Sequence, residues 1–159
     1  AVPEEYIEGF KRHLINNHNL AKALIPGMKA VSYGRIINII STSVKQPIPD
    51  LGVSNTIRGA VASWAKTLAA EVGRFGITVN NILPGFTDTA RLRSLIKNIA
   101  EKKGQSIAEV TQAMEDSVPA GRFADPDETA AAVVFLAATQ AAYINGINLP
   151  VDGGRTQSL

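Results

Sequence analysis

Two short runs, Arg35-Ile36-Ile37-Asn38-Ile39-Ile40 and Ile77-Thr78-Val79-Asn80-Asn81-Ile82-Leu83, constrain the fold of this chain more than any other feature. Both are rich in β-branched residues and almost wholly apolar, as strands are when both faces are covered. Between them, from Ser54 to Val72, the residues Ile57, Val61, Trp64, Leu68 and Val72 recur every three or four positions, which marks an amphipathic helix closed by Gly73 and Gly76. Strand, helix-length crossover and strand make a right-handed βαβ unit with parallel strands. Asp125-Pro126-Asp127-Glu128 then opens a helix to about Ala138, and Asn148-Leu149-Pro150-Val151-Asp152 reads as a last strand ended by Gly153-Gly154. The chain is therefore α/β, one domain over residues 1–159. Three strands are half of a doubly wound parallel sheet, whose open edge calls for an N-terminal partner half.

The remaining segments fill in around this unit. Pro3, Glu4 and Glu5 open a helix with the apolar stripe Tyr6, Phe10, Leu14, Leu20 and Leu24, and Pro26-Gly27 is predicted to kink or end it. Lys45 to Gly52, with Pro47, Pro49 and Asp50, is a loop. Thr87 to Val118 is more polar and carries helices at about Ala90 to Lys102 and Ser106 to Asp116. Sixteen basic against 14 acidic residues are scattered, giving a net charge of +2 and no basic face, so nucleic acid is not expected as a partner. Cysteine is absent, which removes disulfides, thiolate chemistry and Cys-based zinc sites; no metal centre is expected, and a cytoplasmic setting fits. No apolar run approaches the roughly 20 residues of a membrane span.

Four phrases, Gly34-Arg35-Ile36-Ile37-Asn38-Ile39-Ile40-Ser41, Thr78-Val79-Asn80-Asn81-Ile82-Leu83-Pro84-Gly85, Gly121-Arg122-Phe123 and Val151-Asp152-Gly153-Gly154, resemble in order and spacing the short-chain dehydrogenase/reductase family. Within it the chain is most similar to the 3-oxoacyl-[acyl-carrier-protein] reductase branch. The resemblance implies a Rossmann-type domain, an NAD or NADP cofactor, a small carbonyl or alcohol substrate, and a homodimer or homotetramer built on the first two helices. Family members begin with a Gly-rich turn that binds pyrophosphate at a helix N-terminus. No Gly-x-x-x-Gly-x-Gly stretch occurs here, so the chain resembles a member cut just before its fourth helix, and is expected to bind the dinucleotide poorly unaided. The loop Pro84-Gly85-Phe86-Thr87-Asp88-Thr89 matches the family segment that lies against the nicotinamide, with Thr87 and Thr89 as the contacting side chains. The segment from Thr87 to Val118 would then be a mobile lid over the substrate.

The same resemblance assigns the catalytic positions. The family uses a serine, a tyrosine general acid or base, a lysine four residues later, and an asparagine that supports a proton relay. Here Ser41 keeps the serine, the tyrosine position is Ser54, the lysine position is Arg58, and the asparagine position is His13. An aliphatic hydroxyl is a far weaker acid than a phenol, and arginine keeps the positive charge without releasing a proton near neutral pH. Arg58 could hold an acidic substrate or the cofactor ribose, His13 has a pKa suited to proton transfer, and Lys45 and Tyr33 are other candidate donors. Two functions follow: an NAD(P)-dependent oxidoreductase in its intact form, or a catalytically impaired relative used for dinucleotide sensing or as a structural subunit.

Overall fold

The computed structural model describes residues 1–158 and places a three-stranded parallel sheet between helices. β1 (Gly34–Ile39), β2 (Ile77–Pro84) and β3 (Asn148–Val151) lie in sequence order, with Gly34 opposite Ile77 and Asn81 opposite Asn148. Helices α1 (Pro3–Gly9) and α2 (Asn16–Ala30) form one continuous rod through a π-helical turn at Phe10–Ile15, and α3 (Gly52–Val72) packs beside it. Ala65, Ala69 and Val72 of α3 bury against Ile77 and Val79 of β2, with Ile25 and Met28 of α2 at the margin. α4 (Ala90–Lys103) and α5 (Ile107–Asp116) form a satellite pair around Leu92, Ile96, Ala100 and Val110, and α6 (Pro126–Ala137) packs on the sheet. No helix among the described residues is long and apolar enough to cross a membrane.

β2 is buried from Ile77 through Leu83, as its composition requires. β1 departs from expectation, because Ile36 and Ile37 are only half-buried and Ile39 is 49% exposed. An apolar run reports what a strand is built to be covered by, and here β1 is an edge. Pro26 does not end its helix either; the rod continues to Ala30. Proline removes one hydrogen bond near the helix end, and the packing of Ile25 and Met28 into the core outweighs that loss. Ala62, Ala65 and Ala69 of α3 are buried in the core, and Trp64 packs against it.

Asparagine occupies one level of all three strands, and the side chains join in series. Asn17 of α2 donates to Asn38 Oδ1 (3.2 Å), Asn38 Nδ2 donates to Asn81 Oδ1 (2.9 Å), and Asn81 Nδ2 donates to Asn148 Oδ1 (2.7 Å). Each inner amide thus accepts from one neighbour and donates to the next, which is how polar groups are tolerated at 8% and 3% exposure.

Candidate functional site

Ser41 lies two residues past Ile39, the last residue of β1, with its backbone still extended. Its Oγ accepts a hydrogen bond from the Ser43 backbone N–H (3.1 Å) and so caps a short 3-10 turn at Thr42–Val44. That leaves the hydroxyl hydrogen available to a ligand. The loop beyond is pinned to α3, because the Asn55 amide donates to Ile48 O (2.8 Å) and accepts from Ile48 N–H (3.4 Å). Lys45 ends the 3-10 turn and is half-buried.

His13 and Arg58, 45 residues apart, meet where the π-helical turn crosses α3. The two helices approach closely because Gly9 presents no side chain to Ile57, whose Cγ1 would stand 3.0 Å from an added Cβ. Arg58 Nη1 then lies 3.4 Å from His13 Nδ1. A guanidinium can only donate, so Nδ1 accepts and the imidazole proton sits on Nε2. Burial first, then the charges of Arg58 and Arg12, lower the His13 pKa below its ordinary value. Arg58 is itself lowered, by burial and then by Arg91, yet no carboxylate side chain among the described residues pairs with it. Ser54 is half-buried one helical turn before Arg58, so the two share a face of α3. Tyr33 stands at the other end of β1 from Ser41, roughly 25 Å along an extended chain, and its hydroxyl donates to Ala137 O (2.8 Å). It is not a donor for this site.

These contacts predict a titration. His13 should titrate below 6.5 when followed by imidazole NMR shifts, and Arg58→Gln should move it upward. Because the folded pKa is depressed, the unfolded chain binds the proton more readily. The associated stability is present above about 6.5 and is lost as pH falls through that value toward the folded pKa. An unchanged His13 titration in the Arg58 variant would show that the two groups do not interact.

The Pro84–Thr89 loop is held from both sides. Gly85 N–H donates to Val151 O (2.9 Å), and a Cβ on Gly85 would stand 2.7 Å from Asp152 Cα, so only glycine fits. Phe86 O and Asp88 N–H bond to Ala124 (2.9 Å each), leaving Thr87 at the centre of an isolated parallel bridge with its own N–H and C=O turned the other way. Thr87 Oγ1 donates to Gly85 O (3.4 Å), and Thr89 Oγ1 accepts from Leu92 N–H as the cap of α4. The expected catalytic side chains stand outside the cleft that opens next to Ser41 in the chain. A cleft of about 190 Å³ opens one residue past Ser41, lined by Thr42, Gln46, Ile48, Ser117, Arg155 and Thr156 among others, and none of His13, Ser41, Ser54 or Arg58 lines it.

Residues 4–156 match the family model described as Enoyl-(Acyl carrier protein) reductase. The chain belongs to the short-chain dehydrogenase/reductase family. It is 37% identical over 153 residues to 3-oxoacyl-[acyl-carrier-protein] reductase FabG of Vibrio cholerae, covering 95% of this chain and 57% of the relative. It is 38% identical over 130 residues to short-chain reductase protein NovJ of Streptomyces niveus, covering 80% of this chain and 47% of the relative. L-sorbose reductase from Gluconobacter frateurii, solved as a complex with NADPH and L-sorbose, superposes with a TM-score of 0.93 at 33% identity, over 100% of this chain and 61% of that one. The chain therefore spans about half the length of the curated short-chain dehydrogenase/reductase relatives it matches.

Two features were not read from the sequence: the asparagine series across the sheet and the Gly9 crossing beside His13 and Arg58. Polar residues inside apolar strands and a glycine inside a helical stripe were the signals that could have found them.

Proposed function

We propose that the protein acts, at its full encoded length, as an NAD(P)-dependent oxidoreductase on a small carbonyl or alcohol. The observation that carries this reading is the approach of Arg58 to His13, which brings together two positions that the family resemblance assigns to catalysis. Ser41 Oγ–H would donate to the substrate oxygen, and Arg58 would stabilise the negative charge that develops there. His13, with Nδ1 engaged by Arg58, positions that guanidinium and offers Nε2–H as a further donor. Thr87 fits the amide end of a nicotinamide, since its backbone N–H and C=O find no backbone partner among the described residues, and Thr89 keeps a hydroxyl hydrogen to donate. The bound dinucleotide would supply the hydride. NADPH is favoured by the cofactor named for the sorbose reductase, and a 3-oxoacyl substrate by the Vibrio relative. Pairing of two copies through α2 fits the exposure of Leu20 and Leu24 on that helix.

One observation favours the impaired reading. Ser41, Ser54, His13 as neutral imidazole and Arg58 include no group that is a good acid near neutral pH, so proton delivery to an alkoxide would be slow. The two readings separate in one assay, NADPH oxidation by the full-length protein across a panel of ketones and aldehydes. Turnover that falls about tenfold or more in both Ser41→Ala and Arg58→Gln supports the oxidoreductase. Calorimetric NADPH binding without turnover across the panel supports the impaired relative instead.

A further inference from the structure

The cleft of about 190 Å³ next to Ser41 in the chain is lined by Thr42, Gln46, Ile48, Ser117, Arg155 and Thr156, among others. Its chemistry is one-sided. Arg155 is the single charged residue of the lining among the described residues, and no carboxylate side chain joins it there. The guanidinium is held in place, with its carbon 4.2 Å from the centre of the Phe86 ring. Asp152, three residues earlier, forms no ion pair with it among the described residues; that carboxylate accepts from the backbone N–H groups of Gly154 (3.0 Å) and Thr156 (2.8 Å). Gln46 Oε1 accepts from Gln157 N–H (3.2 Å), which leaves the Gln46 amide nitrogen as a donor. A second, smaller cleft of about 80 Å³ makes the contrast. Its arginine, Arg122, is already neutralised by a two-pronged pair with Glu128 at 2.7 Å on each prong.

A guanidinium without an ion-pair partner, with neutral donors around it, selects a planar anion. We propose that this cleft is a subsite for a carboxylate on the substrate, bound by Arg155 and Gln46 while the reacting carbonyl lies at Ser41. The inference rests on Ser41 as the group that orients the carbonyl, and it deepens the functional reading by making the substrate an oxo acid or hydroxy acid. The cleft is smaller than the roughly 300–1,000 Å³ of drug-sized sites, which suits a short acid.

The test is binding, measured by calorimetry on the full-length protein with and without NADP⁺, which cannot reduce a ketone. The probes are 4-oxopentanoate and its methyl ester, two ketones that differ in the anionic group alone. The acid should bind about tenfold or more tightly than the ester. Arg155→Gln should bring the two affinities together, and Arg155→Lys should keep part of the difference, with circular dichroism confirming that both variants fold. Equal affinities in the parent protein, no binding of either probe, or a preference that survives Arg155→Gln would overturn the proposal. So would a preference lost in Arg58→Gln and kept in Arg155→Gln, which would put the anion at Arg58. Because no hydride passes, failure here leaves the turnover assay on neutral carbonyls to decide the oxidoreductase reading separately.

Discussion

Asn81→Ala is expected to lower stability by about 2–4 kcal/mol, because two neighbours lose their partners at once. Asn38 Nδ2 would be left without an acceptor and Asn148 Oδ1 without a donor. Each buried unsatisfied group costs about 1–3 kcal/mol, and the lower half of that range applies to Asn148, which water can partly reach. The loss would appear as a lower urea midpoint at unchanged slope. A double-mutant cycle sharpens it: Asn38→Leu with Asn81→Leu should cost less than the two single changes added, since removing both partners removes the orphan. A single-mutant loss under about 1 kcal/mol would mean that the amide series is not a stabilising unit.

The second large effect is expected at Leu136→Ala, about 2–5 kcal/mol. Leu136 is fully buried and is the one fully buried side chain of α6, whereas its neighbours Val134 and Phe135 are 69% and 53% exposed. Shortening the one fully buried side chain of α6 removes the largest part of what holds that helix to the sheet. Amide exchange should therefore rise along α6 well before it rises in β2, whose residues Ile77 to Leu83 are buried throughout. Leu136→Met keeps the volume and should cost under about 1.5 kcal/mol. Equal exchange in α6 and β2 of the alanine variant would show that α6 is held by other contacts.

The candidate site was partly legible. The family resemblance, counted onward from Gly34 with the family's spacing, assigned Ser41, Ser54 and Arg58, and nothing in the local pattern of the residues marks them apart from it. That Arg58 reaches His13 was not legible, since it depends on how closely two helices cross at Gly9. Arg155 carried no signal in a Gly-rich terminal turn; its meaning comes from Phe86 and Gln46, 69 and 109 positions away in the chain.

The fold divides in the same way. The alternation of buried strands with amphipathic helices was enough to set the order of elements, the parallel sense of the sheet and the burial of β2, because each follows from periodicity and composition within a single segment. Which polar groups face one another was decided only in three dimensions. Asn38, Asn81 and Asn148 form a series solely because the strand register brings them level, and a shift of one residue would point them to opposite faces. The exposure of Ile39 and the continuation of α2 past Pro26 have the same origin: a segment specifies what it can bury, and the packing around it determines what is buried.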